Sequence, residues 1–340
     1  MITNERQGWV DFAKFFSIFL VVSYHILPYL TGYCDDILRS VRMPFFFLIS
    51  GYLFRTDKFP NYRSFFIHRG KQLLVPYFLF SISFFLVWLM IRNDIMGNEH
   101  DINALWYKPI LELIEGRPEL VLHSFWFLTC LFSIQTIYYF LHRFVDKRVV
   151  FVIVLLLPFI NCLTGFYKLP WHVDSAFKYI PYYALPNLFK DKITGFKNIP
   201  VALLSLVVFT GLSILIYDME NYWLRTGLRI ITSISIMPPY ILFCRFLSKN
   251  LPQKVGNIVE YIGKNTIIIL AFHMYILRPI ELLICHFLGS AIFEGRYYLN
   301  LTVTFSTIVI CLIPIYIINK YTPFIVGRGP LFDSRKNRTV

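Results

Sequence analysis

Long, nearly unbroken apolar blocks constrain this chain more than any other feature. SIFLVVSYHILPYL starts at residue 17, QLLVPYFLFSISFFLVWLMI at 72 and VVFVIVLLLPFI at 149. VALLSLVVFTGLSILIY follows at 201 and LNLTVTFSTIVICLIPIYII at 299. Several approach the ~20 residues that an α-helix needs to cross a bilayer. With no water in the hydrocarbon core, a helix satisfies its own backbone hydrogen bonds, so such blocks are read as spanning helices. The expected fold is all-α, a polytopic membrane protein. The aromatic content of 19%, much of it near block ends, suits interfacial belts.

Ten spans are predicted, at 9–31, 41–55, 72–92, 122–142, 149–165, 177–189, 199–217, 226–247, 264–288 and 299–319. The second and sixth are short or interrupted by Pro, so tilted, broken or re-entrant segments fit them. With the N-terminus placed inside and sides alternating, the inside segments hold 21 of the 33 Lys and Arg, the outside segments 11, and Lys14 lies in the first span. That bias predicts both termini in the cytoplasm, in agreement with an even number of spans. The net charge of +13 is then mostly orientation charge, and no nucleic-acid partner is expected. The first apolar run lacks a small-residue cleavage site and is expected to be the first span rather than a signal peptide. The six cysteines show no CxxC or metal spacing, so neither a disulfide framework nor a metal site is expected. No repeat or linker divides residues 1–340, and one membrane domain is the simplest reading.

The first span, WVDFAKFFSIFLVVSYH at 9–25, carries three ionisable groups. Lys14 and His25 are 11 residues apart, so they differ by only about 20° around a helix and by roughly 16 Å along it. Asp11 lies about 40° from His25 on the same face and can pair with Lys14 at i, i+3. Ionisable groups inside a membrane are costly and usually face a cavity or the bundle interior. In the plainer reading, Asp11 and Lys14 anchor the span at the interface and His25 is a hydrogen-bonded structural residue. In the sharper reading, the basic end receives the phosphates of a long, thin cofactor whose arm reaches the imidazole. Coenzyme A has that shape, and a neutral His can act as general base.

Ordered motifs favour the second reading. Lys14, ten residues, then His25, opened by the WVD at 9–11, is followed by RMPFFFLISGYLF at 42–54 and HRGKQLLVPY at 68–77. FWFLTCLF at 125–132 and IGKNTIIILAFHMYIL at 262–277 come next. This ordered set resembles the acyltransferase 3 family of integral-membrane O-acyltransferases, in particular its fucose-4-O-acetylase-like and polysaccharide-intercellular-adhesin-type branches. Arg42 stands where the first of those branches often has His. Between 165 and 260 no family motif is present, and acceptor choice is expected to lie partly there.

The resemblance implies about ten spans and a short acyl-CoA donor, acetyl-CoA or succinyl-CoA, with no metal. It also implies an acceptor hydroxyl on a cell-envelope glycan or lipid-linked sugar, in a bacterial plasma membrane. His25 is expected to be general base or transient acyl acceptor, with Asp11 orienting or neutralising Lys14. Lys14, Arg69 and Lys71 are expected at the donor's phosphates, against the alternative that the last two are orientation charge. Arg42, Ser50 and His273 are candidates on the substrate side. Each has a plainer role: Arg42 as interfacial anchor, Ser50-Gly51 as a close-packing site, His273 as a core His bonded to a carbonyl. Arg278 and Glu281, at i and i+3, are expected to pair. The acidic stretch 93–121 reads as a solvated loop. The bilayer is a partner in either case, and a homo-oligomer is compatible with both. The rival from another class is an exporter of glycan or lipid-linked sugar, which intramembrane charge and Pro-interrupted spans would also suit.

Overall fold

The computed structural model describes residues 8–26, 37–96, 107–119, 122–164, 168–293 and 296–328. The described residues are helical, with no strand among them. Each of the ten predicted segments falls mostly on helix where it is described; residues 27–31 of the first and residue 165 of the fifth lie outside the described residues. Six helical stretches among the described residues are long and apolar enough to cross a membrane: Tyr62–Met90, His123–Phe144, Ile199–Tyr217, Tyr222–Asn250, Thr266–Leu288 and Tyr297–Tyr321.

Local sequence sets several boundaries. Asn61, Asn198 and Asn221 each accept a hydrogen bond from the backbone N–H three residues on, at 2.9–3.0 Å, and so open three helices. Tyr222–Asn250 bends at Ile236, where Pro238 and Pro239 remove two N–H donors from the next turn. The Ile199–Tyr217 helix leaves Leu203, Leu204, Val207 and Ile214 about 60% exposed or more. An apolar face of that kind is costly in water and ordinary against lipid.

The chain divides into two compact units, 1–54 with 146–165 and 178–313, and 55–145 with 166–177 and 314–340. In the first unit the Gly8–Ile26 helix is the core. It packs against the Arg42–Leu53, Met237–Asn250, Gln253–Lys264, Thr266–Leu288 and Tyr297–Ile310 helices. Trp9, Val10, Phe12, Ala13, Ile18 and Val22 are all buried on it. Two glycines make these crossings close. A Cβ on Gly263 would strike the carbonyl of Asp11, and one on Gly51 would strike the carbonyl of Tyr183. Asn187 Nδ2 ties the second crossing by donating to the carbonyls of Gly51 and Phe54, each at 2.9 Å.

In the second unit, Tyr62–Arg69 runs through a π-helical turn at Gly70–Leu74 into Val75–Met96. The stretch read as a solvated acidic loop is more ordered than expected. Lys108–Ile114 is helical with Glu112 buried, and Tyr77 Oη donates to the Leu113 carbonyl at 3.0 Å. Arg117 is buried against Asp174 at 2.8 Å, and Lys168 meets Glu119 at 2.9 Å. The Lys168 hydrogen bond holds the Glu119 carboxyl below the usual range. Asp94, Glu99 and Asp101 lie where side chains are outside the description. Trp171 and His172 adopt left-handed φ of 57° and 52° in the same unit. Ser133 Oγ donates to the Trp171 carbonyl at 2.8 Å.

Candidate active site

The stripe expected on the first helix is present. Asp11 is 1% exposed, while Lys14 and His25 are half-buried on the continuous helix Gly8–Ile26. The helix's position in the bundle explains how these groups are tolerated: they face protein from five other helices rather than lipid alone. Asp11 gains a partner that sequence spacing did not indicate. Lys264 Nζ lies 3.9 Å from Asp11 Oδ2 and 3.0 Å from Glu260 Oε2. Gly263 allows this by bringing the Gln253–Lys264 helix against the Asp11 backbone.

At the deeper end, the structure brings together His25 and His273, with ring centroids 5.1 Å apart. His273 is fully buried on the Thr266–Leu288 helix. Its Nδ1 lies 3.0 Å from the carbonyls of both Ile269 and Leu270. Carbonyls only accept, so Nδ1 carries the proton and donates, and Nε2 of the neutral ring is the lone-pair nitrogen. Nε2 has no hydrogen-bond partner among the described residues. The plain role foreseen for His273, a core His bonded to a carbonyl, is therefore present, and it leaves a second nitrogen to face other chemistry.

Arg42 joins the same cluster. Its guanidinium lies 3.5 Å from the centroid of the Tyr24 ring, and that ring is 5.2 Å from the His25 ring. Arg42 is 7% exposed, which is deeper than an interfacial anchor requires. Tyr24 was missed from sequence, although it adjoins His25 in the quoted stretch. Lys264 was missed too, although it shares the IGKNTIIILAFHMYIL block with His273. The signal was there as a second basic residue nine positions before a second His.

Ser50 is half-buried one residue before the Gly51 crossing. Gly51 has the packing role. Arg69 and Lys71 lie in the second unit, half-buried around the π-helical turn, while Arg63 is exposed. Arg69 Nη1 donates to Gln72 Oε1 at 2.9 Å, and a Cβ on Gly327 would strike the Lys71 carbonyl. Arg278 Nη1 meets Glu281 Oε2 at 2.7 Å, the expected i, i+3 pair. Among the described residues no three His, Cys, Asp or Glu side chains converge as a metal site.

A helical chain with six bilayer-length apolar stretches and buried imidazole, guanidinium and carboxylate groups in one helical core is a multi-pass membrane protein built around a polar interior. Its sequence matches the profile of the acyltransferase 3 family, described as an acyltransferase domain, over residues 7–320. The chain belongs to that family, and the activity this supports is that of a membrane acyltransferase. It is also 24% identical to the inner membrane protein YcfT of Escherichia coli (strain K12) over 349 residues, 93% of each chain. No solved structure matches it.

Proposed function

We propose that the protein transfers a short acyl group, acetyl or succinyl, from cytoplasmic acyl-CoA to a hydroxyl of a cell-envelope glycan or its lipid-linked precursor. The location that goes with this is a bacterial inner membrane, with both termini in the cytoplasm. One observation carries the reading: in a chain of this family, two imidazoles meet at 5.1 Å at the deep end of a helix whose other end bears Lys14.

In the proposed reaction, His25 takes the proton of the acceptor hydroxyl as its oxygen attacks the thioester carbonyl carbon. The C–O bond forms, the C–S bond breaks, and the CoA thiolate leaves and takes the proton from the His25 imidazolium, which restores the neutral ring. The His273 Nε2 lone pair is suited to accept from a ring N–H of His25, which would fix the tautomer and put the basic lone pair on the other His25 nitrogen. The Arg42 guanidinium is the cation available to stabilise the developing oxyanion. Lys14 serves the donor phosphates, for which Arg69 and Lys71 are proposed separately. Asp11, held by Lys264, fixes the basic end of the first helix.

Calorimetry of purified protein with acetyl-CoA and succinyl-CoA, followed by transfer of labelled acetyl to isolated envelope lipids and glycans, tests this. His25→Ala should bind acetyl-CoA and lose about 10²–10⁴-fold in transfer. Lys14→Ala should bind the donor more weakly. Folded wild-type protein that binds neither acyl-CoA, or a His25→Ala variant with the wild-type transfer rate, would defeat the proposal.

A further inference from the structure

A cavity of about 170 Å³ lies within the first unit, lined mostly from the stretch between 165 and 260 that carries no family motif. One water needs only ~10–15 Å³ on this measure, so the space admits a polyatomic group. Four cations line it: Arg39, Lys178, Arg225 and Arg229. Among the described residues, its lining holds no carboxylate. The four come from three separate parts of the chain, and the fold gathers them at one place.

That gathering has an electrostatic cost. Arg225 and Arg229 stand at i, i+4 on one helix, a like-charge arrangement that destabilises an isolated helix. They also lie, half-buried, on a stretch long and apolar enough to cross a membrane. Cations so placed mark substrate or ion sites more often than packing. Arg39 and Lys178 are exposed at the rim. Guanidinium forks favour oxyanions that they can engage with two parallel hydrogen bonds, phosphate and pyrophosphate above all.

The surroundings are lipid-like on one side. Tyr182 is buried in the lining, with Ile230 and Pro158 as apolar wall. On the helix that carries the arginines, Trp223, Leu224 and Ile231 are 44–52% exposed. The Trp223 ring lies parallel to Phe159, 7° apart at 6.2 Å, where Gly227 leaves room for Phe159. Tyr222, 56% exposed, adds an aromatic face at the mouth. The route from cavity to imidazoles is short along the chain. Arg39 precedes Arg42 by three residues, at most about 11 Å between Cα atoms, and Arg42 covers the ring next to His25.

We infer that this cavity seats the phosphate or pyrophosphate of a lipid-linked sugar acceptor, with the prenyl-type chain along the Trp223–Ile231 face and the sugar towards His25. The acceptor role rests on the acyltransferase reading above; the anion site does not. It would select the lipid-linked precursor over the finished, phosphate-free glycan.

The test uses the full chain in neutral detergent. Binding of farnesyl pyrophosphate is compared with that of inorganic pyrophosphate, farnesol and phosphatidylglycerol, and acetyl-CoA is measured in parallel. The expected result is farnesyl pyrophosphate binding that exceeds all three comparison probes. It should fall at least tenfold in Arg225→Gln/Arg229→Gln, recover partly in the double Lys variant, and leave acetyl-CoA binding unchanged. Lys178→Gln, at the exposed rim, should weaken it severalfold with no consequence for folding. Equal affinity in wild type and these variants overturns the site. Displacement by acetyl-CoA overturns it as an acceptor site, because the cavity would then hold the donor. Equal binding of phosphatidylglycerol overturns the lipid-linked sugar as its source. Absent acetyl-CoA binding with intact arginine-dependent farnesyl pyrophosphate binding overturns the acyl-acceptor role while the anion site stands.

Discussion

Gly263→Ala is the most informative single change in the first unit. Its Cβ would meet the Asp11 carbonyl far inside van der Waals contact, and the obstruction is backbone, which cannot rotate aside. The Gln253–Lys264 helix and the first helix would have to part by about 1 Å, at an overpacking cost of about 1–3 kcal/mol. The intrinsic gain from Gly to Ala in a helix, about 0.5–1 kcal/mol, offsets only part of that. The same displacement moves the Asp11–Lys14–His25 stripe relative to His273, and a misplacement of this size can cost about 10²-fold in rate. Thermal unfolding in detergent reads the first effect, and labelled acetyl transfer reads the second. Gly211→Ala supplies the control, since a Cβ there meets nothing within 4 Å, so the helix-propensity gain should stand alone. A Gly263→Ala protein as stable and active as Gly211→Ala would refute the close crossing and the site geometry built on it.

Other changes probe separate parts of the structure. His172 is buried in the second unit, and burial, with Arg117 adding to it, pulls its pKa down to about 4 while Asp174 and Glu119 oppose. Its folded pKa lies below the unfolded value, so stability is full above about pH 6.5 and falls towards pH 4, by up to about 3 kcal/mol. His172→Asn, which tolerates the left-handed backbone, should flatten that slope in thermal melts at pH 5 and 7; an unchanged slope rejects the assignment. Asp174→Asn leaves the buried Arg117 guanidinium with only the more exposed Glu119 carboxylate, 3.8 Å from its Nε, and should cost up to about 3 kcal/mol. Lys168→Ala, in an exposed pair, should cost less than about 1 kcal/mol, and equal losses in denaturant titration would contradict the burial argument. His273→Gln should lower the transfer rate and shift its pH profile with little change in acetyl-CoA affinity. A loss confined to affinity would show that His273 does not act through His25. In a double-mutant cycle, Asp11→Asn and Lys264→Met should couple in acetyl-CoA affinity or stability; strict additivity would reject their pairing.

Much of the helix pattern was legible because apolar periodicity is a local signal. The 199–217 span coincides with the Ile199–Tyr217 helix. The predicted 226–247 span starts four residues late: the helix begins at Tyr222 and includes Arg225, whose charge carries no apolar signal. Tyr62–Arg69 lies between the predicted spans 41–55 and 72–92: its basic and aromatic residues carry no apolar run, yet Asn61 caps it and it continues into the next helix. The first helix was read correctly as helix, and its stripe follows from arithmetic on 3.6 residues per turn. The meeting of His25 with His273 does not follow from spacing. It depends on close packing around the first helix, including the approach that Gly263 permits, and a lone Gly in sequence does not name its partner.

On the proposed topology, the outward cations are more telling than the inward majority. Inward Lys and Arg set orientation and carry little further information. The 11 outward ones run against that bias, so each calls for a local reason. Arg117 has Asp174, Lys168 has Glu119, Arg278 has Glu281, and Arg42 lies on Tyr24 beside the imidazoles. Arg39, Lys178, Arg225 and Arg229 line one cavity. Surface charges left over from solubility would scatter, and four gathered from three parts of the chain do not. The stretch without family motifs, where acceptor choice was expected, supplies three of those four cations. The motif-bearing helices hold the imidazoles common to the proposed chemistry. Conversion of donor chemistry into acceptor specificity then needs only the short path from Arg39 to Arg42, which joins a cavity that can differ between acceptors to a reaction centre that need not.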